Sequence, residues 1–425
     1  MTTVGFAGMT HLGLVSATGI AAKGFKTVCY DGDAALVGRL RAGNLPVLEP
    51  GLDALVAANG DRQHFTADLA DLSGCDVVYI APDIPTDNQG RSDTAVIHRL
   101  IDAVAPVLAP TAIMVVLSQV EPGFTRGLSQ PAPERRYYQV ETLVFGRAVE
   151  RTMEPERYII GCADPATPLP PHFDAVLKAF DCPILPMRYE SAELAKISIN
   201  FCLVASVSVA NTLAEVCEEI GADWSEIVPA LKLDRRIGAY SYLAPGLGIA
   251  GGNLERDLAT IQRIGAQHGT DTGVVAAWKA NSLHRRDWAA RTIRKGLLDA
   301  KPDATLAIWG LAYKENTHSV KNSPSLATIG QLAGAKLRLH DPVVPASVVS
   351  RPGSEGVASA LEALDGADAL LILTPWPEYR DIAPADIVAR LGGRLVLDPY
   401  AVLNADKARA AGLDHRTLGR APVRN

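Results

Sequence analysis

The residues with the clearest chemistry lie at the amino end. Gly8-Met-Thr-His-Leu-Gly13 follows an apolar run and opens a helical pattern. Glycines at such a strand-to-helix turn let the chain bend tightly and let a pyrophosphate approach the helix N-terminus. Thr10 stands where the second glycine of a dinucleotide fingerprint would be, which weakens the motif taken alone. The next β-rich run ends at Asp31, about 20 residues past the loop, where a carboxylate accepts hydrogen bonds from both ribose hydroxyls and repels the additional phosphate of NADP. The pattern therefore predicts NAD held by Gly8, Thr10, His11, Leu12, Gly13 and Asp31; the competing reading makes Asp31 a turn residue with Gly32 and Asp33. His11 and His318 are placed to touch a ligand, although a lone histidine is more often structural. No HExxH, GxSxG or Walker-type loop occurs, so no metal, serine-hydrolase or P-loop chemistry is implied.

These residues need a scaffold, and the chain predicts one in three parts. As far as about Leu185, short β-rich runs (3–7, 26–30, 76–81, 113–118, 158–161) alternate with helical patterns, the signature of βαβ units and a parallel sheet. From Ser191 to about Leu298 strand signals vanish. Ala192 to Ile220 carries apolar residues at helical spacing and is closed by Gly221; at roughly 45 Å it is long enough to serve as a dimer-forming spine. A second alternating series (306–310, 336–340, 369–374, 395–397) follows. The expected fold class is thus α/β, two doubly wound Rossmann-like domains joined by a helical spine, with boundaries at 1–187, 188–300 and 301–425. Linkers are expected at 182–188 and 299–304, where prolines interrupt periodicity, and a loose tail after Leu418.

Composition narrows the partners. With 425 residues, about three domains are expected. A net charge of -6 supplies no basic field for nucleic acid or an anionic membrane. The six cysteines show no CxxC spacing, lie mostly within apolar runs and read as reduced, buried thiols. Residues 4–22 are broken by glycines and lack a basic leader, so neither a signal peptide nor a span is expected there, and a cytoplasmic location is.

Further blocks extend in order along the chain: 43–52 (GNLPVLEPGL), 84–87 with Gly90 and Asp93, 118–123 (SQVEPG), 154–161 (EPERYIIG), 193–196 (ELAK) with Asn200, 234–238 (DRRIG), 245–257 (PGLGIAGGNLERD), 310–314 (GLAYK) and 322–324 (NSP). Together they resemble the UDP-glucose and GDP-mannose dehydrogenases. The resemblance implies a homodimer with an N-terminal NAD domain, a helical spine and a C-terminal domain for the nucleotide end of a nucleotide sugar. Such enzymes oxidise a hydroxymethyl carbon twice, with a cysteine capturing the intermediate aldehyde. By position, Lys196 and Asp257 resemble the pair that activates the reacting oxygen, with Asn200 one helical turn from Lys196 and Glu141 in the acidic loop. Arg236, Tyr242, Gly251 and Lys314 match substrate positions, and Ser118 and Lys321 cofactor positions.

The departures are as informative. The cysteine position of the resembled family is Asn253, and no cysteine follows Cys217. An amide hydrogen-bonds but forms no thiohemiacetal. The second acidic-loop glutamate is Phe145 and the threonine after Ser118 is Gln119, both serving the second half of that reaction; Tyr400 and Lys321 replace arginines. The expected function is therefore one two-electron oxidation of a UDP-glucose-like nucleotide sugar to an aldehyde or ketone; nucleotide sugars feed polysaccharides, glycoconjugates or glycosylated small molecules, and any of these fits. The alternatives are full oxidation to a uronic acid, NAD-dependent epimerisation through a transient ketone, and non-catalytic binding.

Overall fold

The computed structural model describes residues 2–87 and 90–422. The chain divides into two compact units, Met1–Ile199 and Asn200–Asn425.

In the first unit the strands are β1 (Thr3–Ala7), β2 (Lys26–Tyr30), β3 (Gln63–Thr66), β4 (Val77–Ile80), β5 (Ile113–Val116), β6 (Arg136–Gln139), β7 (Tyr158–Cys162) and β8 (Ile184–Arg188). They form one sheet in the order β3-β2-β1-β4-β5-β6-β7-β8, parallel except where β6 meets β7. Central strands such as VVYI of β4 and IMVV of β5 are buried at every position, as a sheet covered on both faces requires. Helix α1 (His11–Ala22) leaves β1 through Gly8. β1 lies between β2 and β4, so the segments leaving β1, β4 and β5 emerge together at the switch point, where doubly wound sheets bind ligands.

In this unit two strands and a linker differ from expectation, and in the second unit the short edge strands 354–356 and 414–416 are not among the expected ones. Residues 184–188 are not a linker but the edge strand β8, paired in parallel with β7, with Pro186 opposite Ile160. Proline is tolerated there because an edge strand has one side without a ladder partner. β3 (QHFT) and β6 (RYYQ) escape a hydropathy pattern because they bury polar side chains that bond to partners outside their own strand. Arg136 donates to the carbonyls of Leu128, Pro131 and Arg126, and Gln63 to the Thr18 hydroxyl.

Helix α2 (Ala148–Met153) precedes β7, and helix α3 (Tyr189–Ile220) begins three residues before the expected start. Tyr189 is fully buried and its hydroxyl is bonded to the carbonyls of Pro133 and Arg136, which anchors that first turn. Gly221 ends the helix at φ +82. α3 is long and apolar enough to cross a membrane, by length and composition.

The second unit contains most of α3, then α4 (Trp224–Leu233), α5 (Asn253–His268) and α6 (Gly273–Arg286). α3 is tied to α6 through fully buried Arg285, which donates to Glu218 at 2.7 Å. Strands β9 (Thr305–Trp309), β10 (Lys336–His340), β11 (Ser354–Gly356), β12 (Ala369–Ile372), β13 (Leu395–Leu397) and β14 (Asp414–Arg416) form an all-parallel sheet, β11-β10-β9-β12-β13-β14. The expected loose tail is partly overturned. Gly419 accepts from Trp224 N at 2.8 Å and donates to Glu218 at 2.9 Å, and Arg420 pairs with Asp223. Residues 423–425 lie outside the described residues.

Candidate active site

The dinucleotide loop is built by close approach. A Cβ on Gly8 (φ +97) would stand 2.8 Å from Pro82 N, and one on Gly13 1.8 Å from the Gly8 carbonyl, so neither position accepts a side chain without moving backbone. Asp31, just past β2, accepts from Met9 N at 2.8 Å and Asp33 N at 2.9 Å. The Asp31 carboxylate thus joins the loop to the end of β2. Thr10, in the second-glycine position, accepts from Asp83 N at 2.8 Å, and the Asp83 carboxylate accepts from Leu12 N at 3.3 Å. Glycine turn, helix amides and a strand-end carboxylate are the donor and acceptor set that NAD requires, so these residues fit the cofactor.

Two of the residues expected to meet the cofactor have protein partners. Ser118 is fully buried and donates to Pro82 O at 2.5 Å, so its hydroxyl clamps the segment after β4. His11 is buried, with Nε2 3.0 Å from Glu49 and its ring stacked on Phe145 at 4.3 Å. Glu49 also accepts from Gly146 N and Ala148 N, so this pair fastens the acidic loop to the start of α1. The structural role that a lone histidine more often has is open to sequence reading, but its partner Glu49, 38 positions away, is not.

Still within the first unit, Lys196 Nζ lies 2.7 Å from Glu141 Oε1 and 3.0 Å from the Glu141 carbonyl. Both side chains are mostly buried, and Glu141 also accepts from Leu143 N, which fixes the loop after β6. One turn earlier on α3, fully buried Glu193 accepts from Gly123 N at 2.6 Å and Thr125 N at 2.8 Å. Burial pushes the Glu193 carboxyl up, against the pull of those two amides. The Lys196 ammonium is therefore set by its own helix and by the Glu141 loop together.

In the second unit Asn200 donates to Asp257 at 2.5 Å, and Arg256 Nε lies 3.3 Å from the other Asp257 oxygen. Asp257 is 1 % exposed, so the two donors hold a nearly dry carboxylate in one orientation. Asn253 is the first residue of α5 and is exposed. A cysteine at a helix N-terminus is easily ionised, whereas an amide gains no nucleophilicity there. Gly251 adopts φ +79 with the Tyr313 ring 3.1 Å from where a Cβ would be. Its carbonyl accepts from Asn322 Nδ2 at 2.9 Å, and Asn322 also donates to Glu255. Burial raises the Glu255 carboxyl, opposed by Arg286, Lys279 and Lys321. Burial likewise pushes the Tyr313 phenol up to about 12.

The remaining expected residues are more scattered. Lys314 Nζ lies 5.8 Å from the Tyr313 ring centroid, and the Lys321 Cγ stands 3.7 Å from where a Gly252 Cβ would be. Lys321 therefore belongs to the second unit, beside the Asn253 loop, unlike the other expected cofactor residues. Arg236 is 89 % exposed and makes a two-pronged pair with Asp234; Tyr242 is 55 % exposed. Asp83 enters the picture only through its contacts, whereas Glu49, Glu255, Tyr313 and Asn322 lie in blocks read from the sequence but have no role assigned there.

Comparison with known proteins adds to this geometry. Residues 2–179 match the NAD binding domain of the UDP-glucose/GDP-mannose dehydrogenase family, residues 190–282 its central domain, and residues 307–405 its UDP binding domain. The chain is 29% identical to UDP-glucose 6-dehydrogenase TuaD of Bacillus subtilis, covering 100% of this chain and 94% of that protein. It is 28% identical to UDP-glucose 6-dehydrogenase of Pseudomonas aeruginosa, covering 97% and 96%. A UDP-glucose dehydrogenase structure from Pyrobaculum islandicum superposes with a TM-score of 0.86 at 27% identity, covering 99% and 98%.

Proposed function

Since the chain belongs to the UDP-glucose/GDP-mannose dehydrogenase family and is an NAD-dependent nucleotide-sugar dehydrogenase, we propose that it stops after one two-electron oxidation of a UDP-glucose-like substrate, releasing an aldehyde or ketone. The observation that carries this reading is Asn253. It opens α5, where a thiolate would be needed to capture an aldehyde, and the last cysteine of the chain is Cys217.

The residues for the first oxidation are retained. NAD, when bound, supplies the hydride acceptor. The Lys196 ammonium, set against Glu141, stabilises negative charge on the substrate oxygen as the carbon gives up hydride to NAD and the hydroxyl passes its proton to water. Asp257, held by Asn200 and Arg256, offers a fixed acceptor for a hydroxyl or water. With Phe145 and Gln119 in the positions that serve the second half reaction, hydrolysis of a covalent adduct has no residues assigned to it.

The relatives' description as UDP-glucose 6-dehydrogenases favours a second reading, oxidation through to the carboxylate. Mass spectrometry of the product formed from NAD and a panel of UDP-, GDP- and dTDP-sugars separates the two. A product lighter by two hydrogens supports the single oxidation; a uronic acid sinks it; and a product of unchanged mass with altered stereochemistry makes the protein an epimerase.

The assembly reading is a homodimer in the cytoplasm, with the three-part division 1–187, 188–300 and 301–425. Val209, Leu213, Val216 and Ile220 of α3 are exposed at a spacing of three and four, a stripe suited to a second helix. That spacing favours a subunit contact over a membrane span for this apolar helix.

A further inference from the structure

We propose that Asp83 competes from within the protein for the cofactor's pyrophosphate and thereby sets the affinity for NAD. The proposal rests on NAD binding by the first unit. The first-turn amides of α1 have no intrahelical acceptor, and this twelve-residue helix has no acidic residue in its first turn and no side-chain bond from its N-cap Thr10. Those amides form the seat for the pyrophosphate. One of them, Leu12 N, donates to Asp83, which arrives from 71 positions away.

Asp83 is held in place from several directions. Its backbone N–H donates to the Thr10 hydroxyl, the side chain that replaces the second glycine of the fingerprint. The preceding Pro82 lies against Gly8, close enough that a Cβ there would clash, and its carbonyl accepts from buried Ser118. Thr10 and Asp83 therefore act as a pair: the threonine positions the segment, and the carboxylate rests on the amide that the phosphate needs. At 3.3 Å and with Asp83 exposed, the contact is weak enough to exchange. It is a competitor and not a plug.

Binding then requires the carboxylate to yield the amide and remain close to a like charge. In a solvent-facing site, a unit charge about 5 Å from a phosphate lowers affinity on the order of tenfold. NAD and NADH carry the same pyrophosphate, so both are loosened, which favours cofactor exchange at every turnover. An epimerase that retains its cofactor would need the opposite.

The test is calorimetric titration of NAD into the purified full-length native protein, Asp83→Asn and Asp83→Gly, with ADP-ribose as a probe lacking nicotinamide. Asn removes the charge while keeping the size; Gly removes the side chain, and thermal melts verify folding. Both variants are expected to bind NAD and ADP-ribose about tenfold more tightly than the native protein at low salt, with the gap narrowing as salt screens the repulsion. Native-like or weaker affinity in both variants overturns the proposal and leaves NAD binding standing; no binding by any of the three overturns both. A gap that ignores salt also overturns it, because the charge would then not be the cause.

Discussion

In the proposed reaction, an amide at position 253 and an ammonium at position 196 divide the chemistry between what has been lost and what remains. Lys196→Ala and Asp257→Asn are each expected to lower kcat by about 10²- to 10³-fold, the loss typical of removing one fixed charge-stabilising or proton-handling group. NAD affinity measured by calorimetry should stay within a few fold, and an unchanged kcat would remove these residues from the mechanism. Thiols give a second test. Burial pushes the Cys29 and Cys75 thiols up to about 12, so neither ionises near neutral pH. Against the expectation of buried thiols, Cys182 is half-buried and Cys202 is exposed, because it lies on the outer face of α3, so a chromogenic disulfide should label Cys202 fastest. Cys202→Ser should abolish that fast phase and keep oxidation activity; loss of activity would point to a substitute nucleophile. At this scale the sequence was partly legible. Lys196, Asn200, Asp257 and Glu141 sit in motifs that resemble known ones, whereas His11 with Glu49, and Asp83 with Leu12, meet across 38 and 71 positions that no spacing rule connects.

The elements were more legible where apolar residues dominate. β1, β2, β10 and β13 have the expected limits, and α3 has the expected end, because continuous apolar runs and a glycine stop are local signals. β3 and β6 are hidden by polar residues that find partners only after folding, and β8 by a proline that only its edge position makes acceptable. The α3 terminus also carries a pH dependence. Burial raises the folded-state pKa of Glu193, so its contribution to stability is complete below about 4.3, the unfolded value, and declines as pH rises through the folded value. The stability difference between the native protein and Glu193→Gln should therefore shift in favour of the variant between pH 4 and 7, as chemical denaturation would show. A shift in favour of the native protein would contradict the burial argument.

For the whole molecule, the two sheets repeat one design, a first strand flanked in parallel by the second and the fourth, in two units of nearly equal length. That repetition was legible in the alternation of strand and helix signals. Assembly is argued from the exposed stripe on α3. Leu213→Glu places a charge in its middle and should shift the protein from dimer to monomer in analytical ultracentrifugation, with the fold retained by circular dichroism. A native protein that sediments as a monomer would refute the interface. The central claim, that Asn253 leaves the enzyme with one oxidation, is tested most directly by counting NADH formed per nucleotide sugar consumed at completion. The account predicts one NADH for each sugar; two NADH with a carboxylate product would contradict it.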